Sequence, residues 1–232
     1  MKERGVAATR ILGSLQQSLK DDMSFASGRI MGSMCTEPTR FARLLYSKYL
    51  EKNLGDPGLF PATARLESEA IISAGELLNH PNAHGSIISG GTEANMMAMW
   101  SARNGAKIEK PEAIVPGSAH HSFNKAADML GIKLISVPTD ERGRVQASKV
   151  KAAITANTVM IAGIAGTTEL GVIDPINELS EIAASHDVHL HIDASFGGFV
   201  MPFLNDLGYP AEDFDFKLAG VSSIAIDPHK MG

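Results

Sequence analysis

Residues 221–232 read VSSIAIDPHKMG, a short apolar run that ends in a charged turn. Ile224 to Ile226 has the character of a buried strand, and it delivers Asp227, Pro228, His229 and Lys230 at its C-terminal end. That end of a strand is where open α/β sheets bind ligands. A lysine placed there, beside a histidine and held by a proline turn, can lose its charge to burial and attack a carbonyl as a neutral amine. The same residue would also serve as an ordinary solvated lysine, so its reading depends on what else the chain brings to that edge.

After His84 the chain alternates short apolar runs, at 86–88, 113–115, 134–137, 159–164, 188–192 and 223–226, with helical patterns at 92–103, 122–130, 147–154 and 176–184. Such alternation predicts an α/β fold, a largely parallel sheet covered by helices on both faces. Residues 1–80 read instead as an N-terminal helical segment. Ile11, Leu12, Leu15 and Leu19 recur at helical spacing, giving a sticky face expected to pack against another subunit or domain. A Gly-, Ser- and Met-rich loop over 24–36 follows, and Thr36 with Pro38 is expected to start a helix carrying Phe41, Leu44, Leu45 and Tyr49. Pro61 opens a further helix with Leu66, Ala70, Ala74 and Leu77 along one stripe.

At 232 residues, 44% hydrophobic and 20% charged, the chain can bury a sizeable core. A formal net charge of −5 provides no basic footprint, which argues against a nucleic-acid partner. One cysteine, Cys35, excludes an internal disulfide framework. The N-terminal segment has no apolar signal core and no run approaches membrane-spanning length, so the cytoplasm is the expected compartment and no membrane partner is expected.

Ser89-Gly90-Gly91-Thr92-Glu93 lies between an apolar run and a helix, where free backbone N–H groups and the helix dipole suit an anion such as phosphate. A glycine turn with Thr92 as helix cap would use the same residues. His120 and His121 follow the run at 113–115, so one of them can stand at the sheet edge and stack on a flat ring, or cap a helix at the surface. In 188–193, VHLHID, strand periodicity puts His189, His191 and Asp193 on one face, as metal ligands would be. No second ligand cluster has a telling spacing, and no metal is expected. Asp193 has another use, since a buried carboxylate can hold a pyridine nitrogen protonated. Phosphate cradle, stacking histidine, carboxylate and lysine, in that order, describe a pyridoxal phosphate site.

SGGTEAN (89–95), AHHSFNKA (119–126), AGTTELGVIDPI (165–176), HIDASFGGFVMPF (191–203) and DPHKMG (227–232) closely resemble the group II pyridoxal phosphate decarboxylases. With NLGDPGLFP (53–61) and GSMCTEP (32–38), the chain looks most like the archaeal L-tyrosine/L-aspartate decarboxylases, from about Ile30 to its last residue. The resemblance implies the large domain of a fold-type I pyridoxal phosphate enzyme over residues 81–232, incomplete at its C-terminus, with a mostly parallel seven-stranded-type sheet with helices on both faces; the family's small C-terminal domain is expected to be missing from the given sequence. Carried over by position, it makes Lys230 the Schiff-base lysine and Asp193 the partner of the ring nitrogen. Gly91, Thr92 and His229 would hold the phosphate, His120 would stack on the ring, and Thr168 would lie near the cofactor and the reacting carboxylate. Ser195 stands where relatives usually have alanine, under the other ring face.

The implied activity is α-decarboxylation of an L-amino acid by a homodimer: tyrosine to tyramine, or aspartate to β-alanine, tied respectively to methanofuran and coenzyme A synthesis. Arg29, Arg40 or Arg65 could bind a side-chain carboxylate or be surface charges. The alternatives are a carbon–carbon lyase of the sphingosine phosphate type and an inactive cofactor-binding or subunit fragment. Relatives continue well past the lysine, whereas this sequence stops at Gly232, so the chain is expected to be one piece of a longer polypeptide or a truncated product.

Overall fold

The run TVMIAGI, residues 158–164, is apolar on both sides and buried along its whole length, and the remainder of the sheet is laid out around it. A computed structural model of the protein describes residues 5–30 and 35–232. Residues 31–34, which belong to the loop expected over 24–36 and, from 32 on, to the GSMCTEP match, lie outside the described residues. Five strands pair in parallel, in the order β2-β1-β3-β4-β5. They are β1 (Glu112–Pro116), β2 (Lys133–Val137), β3 (Thr158–Ile164), β4 (His189–Asp193) and β5 (Val221–Ala225).

Four helices cover the two faces, and strand parity assigns residues to them. Ala113, Val115, Met160, Ala162 and Ile164 point to one side, where they join Met99 and Ala102 of α4 (Gly91–Ala106) and Phe123, Ala126 and Ala127 of α5 (Ser122–Leu130). Ile114, Ile161, Leu190 and Ile192 point to the other. There they meet Val150 of α6 (Ala147–Ala153) and Ile176, Leu179 and Ala183 of α7 (Ile176–His186). Each such aliphatic side chain contributes roughly 1.5–3 kcal/mol by its burial. A one-residue slip of β4 would therefore exchange Leu190 and Ile192 for His189, His191 and Asp193 in an apolar layer, and the register is strongly set.

Residues 86–88 do not form a strand, contrary to expectation. No strand among the described residues pairs with them, Ile87 is exposed, and its N–H donates instead to Glu67 Oε1 at 2.8 Å. Against the seven-stranded-type sheet implied by resemblance, the described residues contain five strands.

The chain divides into two compact units, Met1–Glu37 and Pro38–Gly232. The first contains α1 (Ala8–Ser18), whose Ile11, Leu12 and Leu15 are exposed. In the second, α2 (Arg40–Tyr49) is capped by Thr39 Oγ1, which accepts the Ala42 N–H at 3.1 Å, so the helix starts at Thr39 rather than at Thr36. Then α3 (Pro61–Leu77), with proline in its first turn, runs into Leu78, a member of the sheet's own core. Asn79 Nδ2 donates to Asp215 Oδ2 at 2.7 Å, a further tie between the end of α3 and the α/β layers. No helix among the described residues is long and apolar enough to cross a membrane.

Candidate active site

Because every strand runs the same way, the segments that follow β1, β3, β4 and β5 all emerge at one edge of the sheet. That edge receives His120 after β1, Thr168 after β3, Asp193 at the end of β4, and Asp227 to Lys230 after β5. The short helix α8 (Pro228–Met231) carries the lysine. The N-terminus of α4 arrives at the same place.

Glycines make this approach close. Gly90 adopts φ +142°, in the region that favours glycine. A Cβ on Gly91 would lie 2.5 Å from Ser195 Oγ and 2.9 Å from Asp227 Oδ2, so only glycine fits between them. The first helical bond closes from Ala94 N–H to Gly90, which leaves the N–H groups of the first turn without partners inside α4. Glu93 Oε2 accepts both the N–H and the hydroxyl of Ser89, each at 2.7 Å, and these bonds hold its carboxyl below its ordinary pKa.

Asp227 is buried, and its Oδ2 accepts the Gly91 N–H at 3.2 Å while lying 3.2 Å from Lys230 Nζ. One carboxylate thus ties the start of α4 to the lysine, whose side chain is 19% exposed. His229 is more open, with its Nε2 3.9 Å from the same oxygen. Ser195 Oγ, like Ser118 Oγ, is a buried oxygen with no hydrogen-bond partner among the described residues. It faces Gly91, so a polar atom is left to bind whatever sits over the start of α4.

Asp193 is buried with both oxygens engaged: Oδ1 accepts the Ser195 N–H at 3.1 Å and Oδ2 accepts Asn95 Nδ2–H at 2.8 Å. Asn95 also contacts Ser122 Oγ (2.9 Å) and His191 Nε2 (2.9 Å), and Ser223 Oγ lies 2.8 Å from His191 Nδ1 and 2.7 Å from His189 Nε2. Both ring nitrogens of His191 and the Nε2 of His189 are therefore occupied by side-chain partners. His120 Nδ1 accepts the Ser122 N–H at 3.3 Å, and its ring lies 4.0 Å from that of His121. Burial, and next the neighbouring His121, hold His120 below the ordinary histidine pKa.

Among the residues picked out by sequence, Gly91, Asp193, Ser195, His120, His229 and Lys230 are thus joined through short contacts or shared partners. Thr92 and Thr168 are exposed, Thr92 on the first turn of α4 and Thr168 in the turn after β3. The buried neighbour Thr167 braces that turn by accepting the Val172 N–H at 3.2 Å. Arg29, Arg40 and Arg65 are all exposed. Asn95, Ser223 and the bridging role of Asp227 escape a reading of the sequence alone. The available signal for Asn95 is a polar residue in the buried stripe that continues through Ala98, Met99 and Ala102.

The buried histidines predict a pH dependence of stability. Burial pushes His191 from an ordinary 6.5 down to about 4, partly opposed by Asp193, and burial also lowers His189. The unfolded chain then takes up protons that the folded one refuses. Stability is full above pH 6.5 and is lost as pH falls towards 4, by about 3 kcal/mol for His191 alone. Urea midpoints measured from neutral pH down through this window should fall, and His191→Gln should flatten the slope. Equal slopes in the two proteins would contradict this account.

Residues 45–232 match the family described as the pyridoxal-dependent decarboxylase conserved domain. The chain is 59% identical over 210 residues to a probable L-tyrosine/L-aspartate decarboxylase of Methanothermobacter thermautotrophicus, covering 90% of this chain and 58% of the relative. It is 50% identical over 228 residues to an L-aspartate/L-glutamate decarboxylase of Pyrococcus horikoshii, covering 98% of this chain and 60% of that protein. Among solved structures, a sphingosine-1-phosphate lyase of Burkholderia pseudomallei superposes with a TM-score of 0.87 at 36% identity, over 99% of this chain and 57% of that one. The chain therefore spans less than two thirds of the length of these relatives.

Proposed function

The chain belongs to the pyridoxal-dependent decarboxylase family, and on that premise we propose that it removes the α-carboxylate of an L-amino acid, aspartate or tyrosine, as carbon dioxide with the help of pyridoxal phosphate. The observation that carries this reading is that Gly91 at the start of α4 meets the partnerless Ser195 hydroxyl and Asp227, which tie it to Asp193 and Lys230 respectively. The residues fit the cofactor: glycines and a helix N-terminus for the phosphate, a buried carboxylate for the ring nitrogen, and a lysine for the aldehyde.

When bound, pyridoxal phosphate supplies an electron sink for the bond that breaks at the α-carbon. The work of the chain is to bind, orient and hold protons. Thr92 would offer its backbone N–H to the phosphate, Gly91, whose own N–H is held by Asp227, would allow the close approach that its missing Cβ leaves open, and His229 would stand beside them. Asp193, oriented by two N–H donors, keeps a proton on the ring nitrogen. His120 would pack against the ring as a neutral imidazole, and Ser195 would supply a hydroxyl donor that an alanine could not. Lys230 would be the amine that holds the cofactor's aldehyde, and Asp227, 3.2 Å from its Nζ, would steady that side chain. Thr168 is assigned to the substrate carboxylate.

The names of the relatives support aspartate and tyrosine as substrates. We place the enzyme in the cytoplasm as a homodimer, the exposed Phe41, Leu44 and Tyr46 of α2 being apolar surface that a second copy would cover. The test is a panel of carboxyl-labelled L-aspartate, L-tyrosine and L-glutamate with the pyridoxal phosphate-loaded protein. Labelled carbon dioxide released in step with β-alanine or tyramine is expected. An aldehyde product from a phosphorylated amino alcohol, with no carbon dioxide from any amino acid, would favour the lyase reading instead.

A further inference from the structure

We propose that Asn95 is a positioning residue for Asp193, and that it fixes the carboxylate by closing a one-way hydrogen-bond chain that starts at His189; its bearing on catalysis rests on the reading of Asp193 given above. The direction of the chain follows from donor and acceptor chemistry alone. A carboxylate only accepts, so Asn95 must turn its amide nitrogen to Asp193 Oδ2, at 2.8 Å, and its second N–H goes to Ser122 Oγ at 2.9 Å. The amide oxygen then faces His191 Nε2, at 2.9 Å, which must carry the proton. His191 Nδ1 is left as an acceptor, so the Ser223 hydroxyl donates to it across 2.8 Å. Having spent its proton, Ser223 Oγ accepts from His189 Nε2–H at 2.7 Å.

Every bond in this series has one donor and one acceptor, and their directions are set in turn from the carboxylate at its end. Asn95 lies one turn beyond Gly91 on α4, so a single helix addresses both the anion cradle and the carboxylate. The residue type matters as well. An amide neither gains nor loses a proton near neutral pH, so Asn95 passes no proton between His191 and Asp193, although the two still feel each other's charge.

The test has one arm that needs no cofactor. In 15N-histidine NMR spectra of the cofactor-free protein, His191 should be neutral with its proton on Nε2, and Ser223→Ala should leave that form in place, because it is imposed from the Asp193 end. A proton on Nδ1 in either protein overturns the chain. The second arm uses the loaded protein. Asn95→Asp keeps the size of the side chain and its acceptor towards His191 but puts a second carboxylate against Asp193, and it should raise the Kd for pyridoxal phosphate by about 10- to 100-fold, the range by which loss of an orienting partner weakens metal sites. It should also lower kcat more than it raises KM. Wild-type cofactor affinity in Asn95→Asp, alongside a defect in Asp193→Asn, overturns the positioning role and leaves the function intact. Wild-type behaviour in both variants overturns the proposal together with the reading of Asp193. If Asn95→Asp does not fold, the spectra of the wild-type and Ser223→Ala proteins still decide the chain.

Discussion

Lys230→Ala protein is expected to lose turnover completely and to lose the near-visible absorbance of covalently held pyridoxal phosphate. The lysine sits at the C-terminal edge of the sheet, on the short helix that follows β5, with its Nζ 3.2 Å from the buried Asp227. No other lysine with an ion-pair partner among the described residues could replace it. Lys52, Lys133 and Lys217 are paired with Glu51, Glu112 and Asp213 at the surface. An amine that bonds covalently to the cofactor and is later displaced by substrate has no substitute in alanine, so the loss should exceed several powers of ten, more than about 4 kcal/mol. The measurement is borohydride reduction followed by mass spectrometry of the peptide that spans residues 227–232. Wild type should yield the reduced adduct on Lys230, and an adduct surviving in the variant would remove Lys230 from its proposed role.

Asp193→Asn is expected to cut kcat by a comparable factor, with more than about 4 kcal/mol of transition-state stabilisation lost, while the protein still folds. Two effects add. A neutral amide cannot hold the charge of a protonated ring nitrogen as negative charge develops at the α-carbon. Both Asp193 oxygens also accept N–H groups, from Ser195 and from Asn95, so the amide nitrogen of an asparagine must face one of those donors. That leaves a buried donor against a donor, which costs about 1–3 kcal/mol. Steady-state kinetics with folding checked by circular dichroism would measure it. Near-normal turnover would reopen the metal reading of the VHLHID strand, and loss of wild-type activity on adding a chelator would count for that reading.

Much of this was legible from local pattern. The unbroken apolar run of β3 reads as a central parallel strand, and the Ser122–Leu130 helix ends at Gly131 with φ +63°. The alternation of His189, Leu190, His191, Ile192 and Asp193 announces two faces, because side-chain direction along a strand is a property of the backbone itself. Parallel strands separated by helices bring every strand end to one edge, and this is why Asp193 and Lys230 could be placed together before any contact was known.

Partners are another matter, because they are set by which distant elements pack together. The run at 86–88 has a strand's composition but no strand beside it, and its backbone turned to Glu67 instead. Thr36 and Thr39 are equally good caps on paper, and the helix that formed used Thr39. His191 meets Asn95 across a separation of 96 positions and Ser223 across 32, and Asp227 reaches Gly91 across 136. Composition and periodicity determine that His191 points inward from β4. Only the packing of α4 and β5 on either side of it decides that an amide and a hydroxyl, rather than a metal ion or water, satisfy its ring, since hydrogen-bond partners are chosen by proximity in space and burial makes the choice compulsory.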